Sequence, residues 1–253
     1  MHRFFIEAGD FTKSNLKIDG PVARQITRVL RLEVGDNVVL LDNAGWEYIV
    51  TLEDVTASEI SFRILDKYLG NGEPSIKITL CQALLKGGKL ETVWQKGTEL
   101  GISTFIPMVS SRAINRGGSN SPDSKHERWH RVISEAAEQS GRSLIPKLSP
   151  IEPFQEAIVK SQGVRLLAWE EEVLQSNGGL SLKSYLIDNI DKIARDGLSI
   201  FVGPEGGFDR YEIEHAWELG VRSVSLGRRI LRAETAGLVM ASAVMYELGE
   251  LGG

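Results

Sequence analysis

The sequence predicts an α/β protein in two parts, a small N-terminal β-barrel followed by an α/β domain with a parallel sheet. Short apolar segments dominate residues 1–70, whereas strand-like and helix-like segments alternate after residue 74. The segment between them, Leu69–Pro74, is rich in glycine and is the predicted linker. We therefore expect one domain over residues 1–70 and a second over residues 74–253.

Short strands account for most of the N-terminal part. The predicted strands are Arg3–Glu7, Asn37–Asp42, Trp46–Glu53 and Glu59–Leu65. Closure into a small barrel is a common way for short strands to avoid exposed edges. One helix, from about Pro21 to Leu30, is expected to interrupt the strands.

Three arginines follow one another near this helix at spacings of four and three residues, namely Arg24, Arg28 and Arg31. On a regular α-helix such spacing puts all three side chains on one face. A basic face of this kind either grips the phosphates of a nucleic acid or is an ordinary solvated surface. The pattern alone leaves both interpretations open.

The C-terminal part alternates between the two kinds of element. Strands are predicted at Ile76–Ala83, Thr104–Val109 and Gly163–Trp169, and helices at Leu90–Leu100 and Ser124–Ser140. Two further units of strand, loop and helix complete the chain. This alternation is typical of a parallel sheet covered by helices.

The first of the two final units contains a glycine-rich loop. The unalternating apolar strand Leu198–Val202 leads directly into Gly203–Gly207, as in parallel sheets that present a ligand at their carboxyl edge. The loop has neither the lysine of a P-loop nor the glycine spacing of a dinucleotide site. Its carboxylate, Glu205, would repel a pyrophosphate but tolerate ribose hydroxyls or a cationic ligand. S-adenosylmethionine fits these requirements, and an ordinary tight turn is the alternative interpretation.

The second final unit has a different loop, Leu226–Ala236, which contains three arginines around the apolar pair Ile230–Leu231. An entirely exposed loop would not need this apolar pair, so we expect it to be buried in part. Small residues dominate the helix that follows, from Gly237 onwards. A slim helix of this kind permits close backbone packing, either at a tight interface or past other elements.

Five segments, in order along nearly the whole chain, carry a resemblance to a known family. They are Val29–Asp36, Leu90–Gly101, Glu135–Arg142, Phe201–Phe208 and Leu226–Ala236. Together they resemble the signature of the RsmE family, N3-uridine methyltransferases of 16S ribosomal RNA within the SPOUT superfamily.

The resemblance implies S-adenosylmethionine as the cofactor, 16S rRNA within the small ribosomal subunit as the partner, and a homodimer. It also implies that the N-terminal barrel is PUA-like and binds RNA, and that the C-terminal SPOUT domain contains a deep trefoil knot. The candidate cofactor-binding residues are Ala168, Trp169, Glu170, Val202, Gly203, Pro204, Glu205, Gly206, Gly207, Ser225, Leu226, Gly227, Ile230, Leu231 and Ala236.

Two residues of the second loop are the candidate catalytic residues, Arg232 and Glu234. N3 of uridine carries a proton at neutral pH, so methylation there needs a general base or a cation that stabilises the uridine anion. We expect Arg232 to face the base, and Glu234 either to orient Arg232 or to take the proton. The alternative for Glu234 is a carboxylate that caps the last helix, where the helix dipole favours it.

The net charge of −5 argues mildly against nucleic-acid binding, but the basic residues are clustered along the chain. RNA requires only one basic face, because the local field matters more than the total charge. The candidate RNA-contacting residues are Arg24, Arg28, Arg31, Arg112 and Arg142.

Several classes of site are disfavoured. The single cysteine, Cys81, excludes a disulfide framework and a cysteine-rich zinc site. His126 and His130 lack the glutamate of a zinc-protease motif, so no metal site is predicted. The first residues lack the apolar core of a signal peptide, and no apolar run is long enough to span a bilayer. We expect a soluble cytoplasmic protein.

Two other functional classes stay open at this point. A dinucleotide-dependent enzyme is disfavoured by the missing glycine spacing and by Glu205 in the loop. A non-catalytic RNA-binding or ribosome-assembly protein with a relic cofactor pocket is disfavoured by the complete second loop. Another base, or another ring position, is a further alternative for the methyl acceptor.

Overall fold

The computed structural model of the chain describes residues 1–6, 11, 16–56, 58–113, 122–174 and 179–252. It divides into two compact units. The first comprises Met1–Glu73 and Ser134–Ile145, and the second comprises Pro74–Ile133 and Pro146–Gly253. The segment Ser134–Ile145 therefore groups with the N-terminal unit, although the sequence-based boundaries assigned it to the second domain.

A five-stranded sheet forms the body of the first unit. Its strands are β1 (Arg3–Phe5), β2 (Lys17–Asp19), β3 (Asn37–Leu41), β4 (Trp46–Val55) and β5 (Glu59–Leu69). The sheet order is β1-β3-β4-β5-β2, and only β1 and β3 pair in parallel among these neighbours. One face of the sheet covers an apolar core that includes Phe4, Leu40, Val50, Leu52, Ile60 and Phe62. The predicted strands are present, whereas β2 was not predicted.

The helix of the first unit is irregular. A short α-helix, α1 (Gly20–Arg24), continues as a π-helix over Gln25–Val29, and Arg31 follows with a left-handed φ of +54°. The expectation of one α-helical face shared by Arg24, Arg28 and Arg31 is therefore wrong. The π-turns change the residue repeat, and Arg31 lies beyond the helix.

A parallel seven-stranded sheet forms the centre of the second unit. Its strands are β6 (Ile78–Ala83), β7 (Thr104–Val109), β8 (Lys147–Leu148), β9 (Glu152–Pro153), β10 (Val164–Ala168), β11 (Leu198–Val202) and β12 (Arg222–Val224). The order is β12-β10-β11-β6-β7-β8, and β9 also pairs with β7. All residues of β11 are buried, which explains why its sequence is apolar without alternation.

Helices accompany these strands and a 3₁₀-helix spans Glu170–Leu174. The α-helices are α2 (Lys89–Glu99), α3 (Pro122–Ser140), α4 (Phe154–Lys160), α5 (Leu182–Asp196), α6 (Arg210–Glu218) and α7 (Ala233–Glu247). The alternation of strands and helices confirms the predicted α/β class. The trefoil knot that the resemblance implies stays a prediction. Within the described ranges, no helix combines the length and apolar character that crossing a bilayer requires.

The register of the sheet brings four strand ends together. Ala168, the last residue of β10, pairs with Val202 of β11 on one side and with Val224 of β12 on the other. Strand β6 pairs with the other edge of β11. Because all four strands run in parallel, the loops that follow them emerge at the same carboxyl edge, where open α/β sheets hold their ligands.

Helix α7 packs closely against the centre of this sheet. A Cβ atom added to Gly237 would lie 2.8 Å from Leu80 Cδ1 and 3.2 Å from Val202 Cγ2, so glycine is required for this approach. The small residues of α7 thus serve the close packing that the sequence predicted. The approach also fixes the start of α7 beside the carboxyl ends of β6 and β11.

Candidate active site

A cavity of about 610 Å³ lies at the carboxyl edge of the second unit's sheet. The loops after β10, β11 and β12, together with the starts of α2 and α7, form its wall. The lining residues are Lys89, Ala168, Trp169, Glu170, Val202, Gly203, Pro204, Glu205, Gly207, Phe208, Ser225, Leu226, Gly227, Arg228, Arg229, Ile230, Leu231, Arg232, Ala233, Glu234 and Ala236.

The cavity brings together nearly all the residues that the sequence proposed for cofactor binding. Of those fifteen residues, only Gly206 is absent from the lining. Both candidate catalytic residues, Arg232 and Glu234, line the same cavity. The two final loops, which are separate in sequence, therefore form one site in the fold.

The loop after β11 turns sharply at Gly207. The N–H of Gly207 donates to the carbonyl of Pro204 at 2.9 Å, and its φ is +69°, a conformation that favours glycine. A Cβ atom at this position would overlap Oε1 of Glu170. The positive φ therefore favours glycine here, and any other residue would also have to displace the Glu170 carboxylate.

The carboxylate of Glu205 is held by three donors that face the cavity wall. Its Oε1 accepts the N–H of Lys86 at 3.2 Å and lies 3.3 Å from Nζ of Lys89. Partial burial alone would raise the pKa of Glu205. Hydrogen bonds from its own backbone, from Lys86 and from Lys89 outweigh burial, so the pKa is lowered and the group stays ionised.

The loop after β10 is anchored by Glu172, a buried carboxylate. Its Oε1 accepts the N–H of Leu180 at 3.0 Å, and its Oε2 accepts the hydroxyl of Ser223. The same hydroxyl accepts the indole N–H of Trp217 at 2.9 Å. This buried network holds the turn that carries Trp169 and Glu170 to the cavity.

Glu234 stands in the first turn of α7, and its two oxygens have different surroundings. Oε1 lies 3.3 Å from Nζ of Lys89 and 3.9 Å from Nη1 of Arg232. Oε2 is buried and has no hydrogen-bond partner within the described part of the chain. The position agrees with the capping interpretation, but the side chain's ionic contacts are with Lys89 and Arg232.

Lys89 is a site residue that the sequence prediction missed. It begins α2 directly after the segment Lys86-Gly87-Gly88, which follows the apolar strand β6. A glycine pair after an apolar strand is the same signal that marked the loop after β11. Only the fold shows that this lysine contacts two glutamates of the cavity.

The arginine loop after β12 is more exposed than the sequence suggested. Ile230 lines the cavity but is 83% exposed, so it does not share in the partial burial expected of the apolar pair. Leu231 is half-buried. The side chain of Arg232 is 82% exposed, and Arg228 and Arg229 are exposed as well. The loop therefore presents three cations and one apolar side chain at the mouth of the cavity.

The candidate RNA-contacting arginines have different surroundings. In the first unit, Arg24, Arg28 and Arg31 are exposed to solvent. In the second unit, Arg112 is exposed, pairs with Asp209 at 3.0 Å and donates to the carbonyl of Gly206 at 3.3 Å. These four side chains are accessible to a large ligand.

The position of Arg142 corrects the sequence-based prediction that this residue contacts RNA. Its side chain is 3% exposed, and its guanidinium pairs with Glu73 at 2.7 Å within the first unit. A guanidinium that is buried and paired in this way is not presented to a phosphate. Arg142 therefore has a structural position, and we withdraw the expectation of an RNA contact.

The residues of the cavity fit S-adenosylmethionine in shape and chemistry. Apolar side chains such as Val202, Leu226 and Leu231 suit an adenine, and the glycine turns offer backbone groups to a ribose and to polar substituents. Three carboxylates in the lining, Glu170, Glu205 and Glu234, suit a ligand that carries a sulfonium and an amino group. The buried Oε2 of Glu234, which has no partner in the ranges that the structure describes, leaves one acceptor for a donor on a bound molecule.

Two family models match the chain. A model described as an RNA methyltransferase domain matches residues 72–245, and a model described as an RNA methyltransferase PUA domain matches residues 18–65. The first match contains every residue that lines the cavity, and the second lies within the unit that holds the five-stranded sheet.

Relatives of known name resemble the chain over nearly its whole length. The Ribosomal RNA small subunit methyltransferase E of Bacillus subtilis is 34% identical over 255 residues, which cover 98% of this chain and 97% of that protein. The protein of the same name from Aquifex aeolicus is 30% identical, covering 97% and 99% of the two chains. A crystal structure of a Ribosomal RNA small subunit methyltransferase E from Neisseria gonorrhoeae, bound to S-adenosyl methionine, has a TM-score of 0.82 with 28% identity and 98% of each chain covered.

Proposed function

The chain belongs to the RsmE family of ribosomal RNA small subunit methyltransferases, and on this premise we propose that it methylates N3 of a uridine in 16S rRNA. Membership confirms the predicted class of S-adenosylmethionine-dependent rRNA methyltransferase and the PUA-like N-terminal unit. The observation that carries the proposal of N3 chemistry is the carboxylate of Glu234, a residue of the cavity lining whose Oε2 is buried and has no partner among the described residues.

The loops after β10, β11 and β12 would hold the cofactor, chiefly through backbone groups and the apolar side chains Val202, Leu226 and Leu231. S-adenosylmethionine, when bound, supplies an electrophilic methyl group on a sulfonium sulfur. Glu205 is fixed by Lys86 and Lys89 and adds negative charge to the wall. A fixed carboxylate favours a cationic ligand over a phosphate-bearing one.

Glu234 serves as the proton acceptor in this proposal. The N3–H of uridine is engaged in Watson–Crick pairing, so the target base must be unpaired or flipped out before it reaches the cavity. Oε2 of Glu234 then accepts the N3 proton. The exposed guanidinium of Arg232 lies beside Glu234 and stabilises the negative charge that develops on the uracil ring.

The RNA itself would be held by the exposed arginines. Arg24, Arg28 and Arg31 on the first unit and Arg112 on the second have accessible guanidinium groups. Phosphate contacts of this kind position an RNA without reading its sequence. The net charge of −5 does not oppose this, because the cationic side chains form local clusters.

The proposal includes a homodimer that acts on the small ribosomal subunit in the cytoplasm. Exposed apolar side chains support a partner surface on the second unit, where α5 and α7 contact each other. Ile187 of α5 and Tyr246 of α7 are both largely exposed. Light scattering in solution tests this part, because a dimer has twice the chain mass of 27.9 kDa.

The experiment that tests the site combines Arg232→Ala with two measurements. We expect loss of methyl transfer to small subunits that lack the modification, while calorimetry gives an unchanged Kd for S-adenosylmethionine. Arg229→Ala, which removes a neighbouring exposed guanidinium, is the comparison for general charge loss. Lost cofactor affinity with normal turnover in Arg232→Ala would overturn the role assigned to Arg232.

A further inference from the structure

The ammonium group of Lys89 lies between two carboxylates of the cavity. Its Nζ is 3.3 Å from Oε1 of Glu205 and 3.3 Å from Oε1 of Glu234. Lys89 begins α2, Glu205 belongs to the loop after β11, and Glu234 belongs to the first turn of α7. One side chain therefore joins three segments of the cavity wall.

Lys89 restricts the orientation of the Glu234 side chain more than Arg232 does. Arg232 is 82% exposed and lies 3.9 Å from Oε1, whereas Lys89 is closer and less exposed. Lys89 is also anchored at its second contact, because Glu205 accepts the N–H of Lys86. An ammonium held at two points restricts a carboxylate better than a more distant, exposed guanidinium does.

The contact leaves the two oxygens of Glu234 with separate roles. Oε1 faces cations, and Oε2 is buried without a partner in the described part of the chain. A buried acceptor without a hydrogen bond is unfavourable, because it has lost its hydration without gaining a partner. A donor on a bound molecule would remove this cost, and the N3–H of a uracil ring is such a donor.

We propose that Lys89 is a positioning residue for methyl transfer, which holds Glu234 through Oε1 so that Oε2 receives the proton of uridine N3. This inference rests on the proposed function. The N3–H bond breaks, the proton moves to Oε2, and the electron pair left on N3 forms the bond to the methyl carbon, while the carbon–sulfur pair stays on sulfur.

Lys89 keeps its own proton throughout this step. The hydrogen bond to Glu205 raises the pKa of the ammonium, desolvation opposes this in part, and the contact with Glu234 raises the pKa further. The group is therefore charged at neutral pH and acts on Glu234 by charge and position alone.

The test uses Lys89→Met, Glu234→Gln and the double variant, with Lys96→Met as the matched control. Lys96 is on the same helix, but its ammonium pairs with Glu99 on the surface. In single-turnover methyl transfer at saturating cofactor, we expect Lys89→Met to slow the reaction by about tenfold to a hundredfold, which lies in the upper part of the range of coupling between contacting residues. Lys96→Met should keep the wild-type rate, and Lys89→Arg, which keeps the charge, should recover part of the lost rate.

The double variant separates positioning from a general structural effect. If Lys89 acts through Glu234, adding Lys89→Met to Glu234→Gln produces no further loss of rate. An equal loss in both backgrounds would overturn the proposal, and so would a Lys89→Met rate equal to that of Lys96→Met.

A measurement on the free protein tests the contact without any reaction. The ¹⁵N NMR signal of the Lys89 ammonium, assigned by its loss in Lys89→Met, should shift in Glu205→Gln and in Glu234→Gln but not in Lys96→Met. An unchanged signal in Glu234→Gln would overturn the contact. If wild-type protein transfers no methyl group, the proposed function fails, and the NMR result still decides whether Lys89 holds Glu234.

Discussion

The guanidinium of Arg142 donates to both carboxylate oxygens of Glu73, with Nη2 2.7 Å from Oε2 and Nε 3.3 Å from Oε1. Oε1 of Glu73 also accepts the N–H groups of Ser143 and Leu144, each at 3.0 Å. The pair joins the segment Ser134–Ile145 to the end of the N-terminal strands within one compact unit. A residue that resembled an RNA contact in the sequence is therefore part of the framework.

Arg142→Met should destabilise the protein by about 3 kcal/mol, because it leaves the Glu73 carboxylate without its cation. Urea denaturation measures this change. Arg195→Met removes an exposed guanidinium that pairs with its neighbour Asp196, and it should leave the stability nearly unchanged. Unchanged stability of Arg142→Met together with weaker RNA binding would show that Arg142 contacts RNA after all.

Gly207→Ala should weaken S-adenosylmethionine binding at least about tenfold, because the added methyl group displaces the Glu170 carboxylate from the cavity lining and strains a backbone with a φ of +69°. Gly220→Ala is the matched control. Its φ is +81°, so it has similar backbone strain, but no atom of the described residues outside its chain neighbours lies within 4 Å of its added Cβ. Calorimetry should give a raised Kd for Gly207→Ala and a nearly normal Kd for Gly220→Ala. An equal rise in Kd in both variants would show that backbone strain alone weakens cofactor binding.

Two carboxylates of the first unit, Glu47 and Glu138, should make the stability of the fold depend on pH in opposite directions. Burial alone would raise the pKa of Glu47, but hydrogen bonds from Arg3 and Ser143 outweigh it and lower the pKa below 4.5. The charge of Glu47 therefore stabilises the fold above pH 4.5, and this contribution is lost as the pH falls through the lowered value. Glu47→Gln should be less stable than wild type at pH 7, with a difference that shrinks in acid.

Glu138 provides the contrast. Burial, with a smaller contribution from the charge of Glu135, raises its pKa above 4.5 despite the hydrogen bond from the N–H of Phe5. The protonated Glu138 side chain therefore contributes stability below pH 4.5, and this contribution is lost as the pH rises through the raised pKa. Glu138→Gln should therefore match or exceed wild-type stability at pH 7. If denaturation experiments show that stability changes with pH in the same direction for Glu47→Gln and Glu138→Gln, the environments described for the two carboxylates are wrong.

The paired variant Arg24→Met/Arg28→Met should weaken binding to 16S RNA and flatten its dependence on salt. Each lost phosphate contact should reduce the slope of log K against log salt by about 0.7–0.9. Arg195→Met, an exposed substitution elsewhere, is the control for total charge. If the slope of log K against log salt in the paired variant equals that of the wild type, these arginines form a solvated surface and do not contact phosphates.

Local signals explain why most of the candidate site could be predicted. The loop Gly203–Gly207 follows a continuous apolar strand, and this combination of neighbouring residues indicates the carboxyl edge of a parallel sheet. Helix α5 was missed although its signal is also local. Ser181 caps its start, Gly197 ends it, and Leu182, Leu186 and Ile193 form its buried side.

Other features depend on contacts that sequence spacing does not encode. Lys89 contacts Glu205, which is 116 residues away along the chain. The burial of Arg142 depends on Glu73, 69 residues away. The π-helix at Gln25–Val29 shifts the arginines from the regular repeat that the prediction assumed. In each case, tertiary contacts or local irregularity override a pattern that is read from neighbouring residues.

The central claim is tested most directly by transfer of a labelled methyl group from S-adenosylmethionine to small ribosomal subunits that lack the modification. Nuclease digestion and mass spectrometry then identify the modified nucleoside. We predict one new 3-methyluridine in 16S rRNA, formed much more slowly in reactions with Glu234→Gln. Labelled RNA with the methyl group on another base or ring position, or no label on either subunits or free 16S rRNA, would contradict the account.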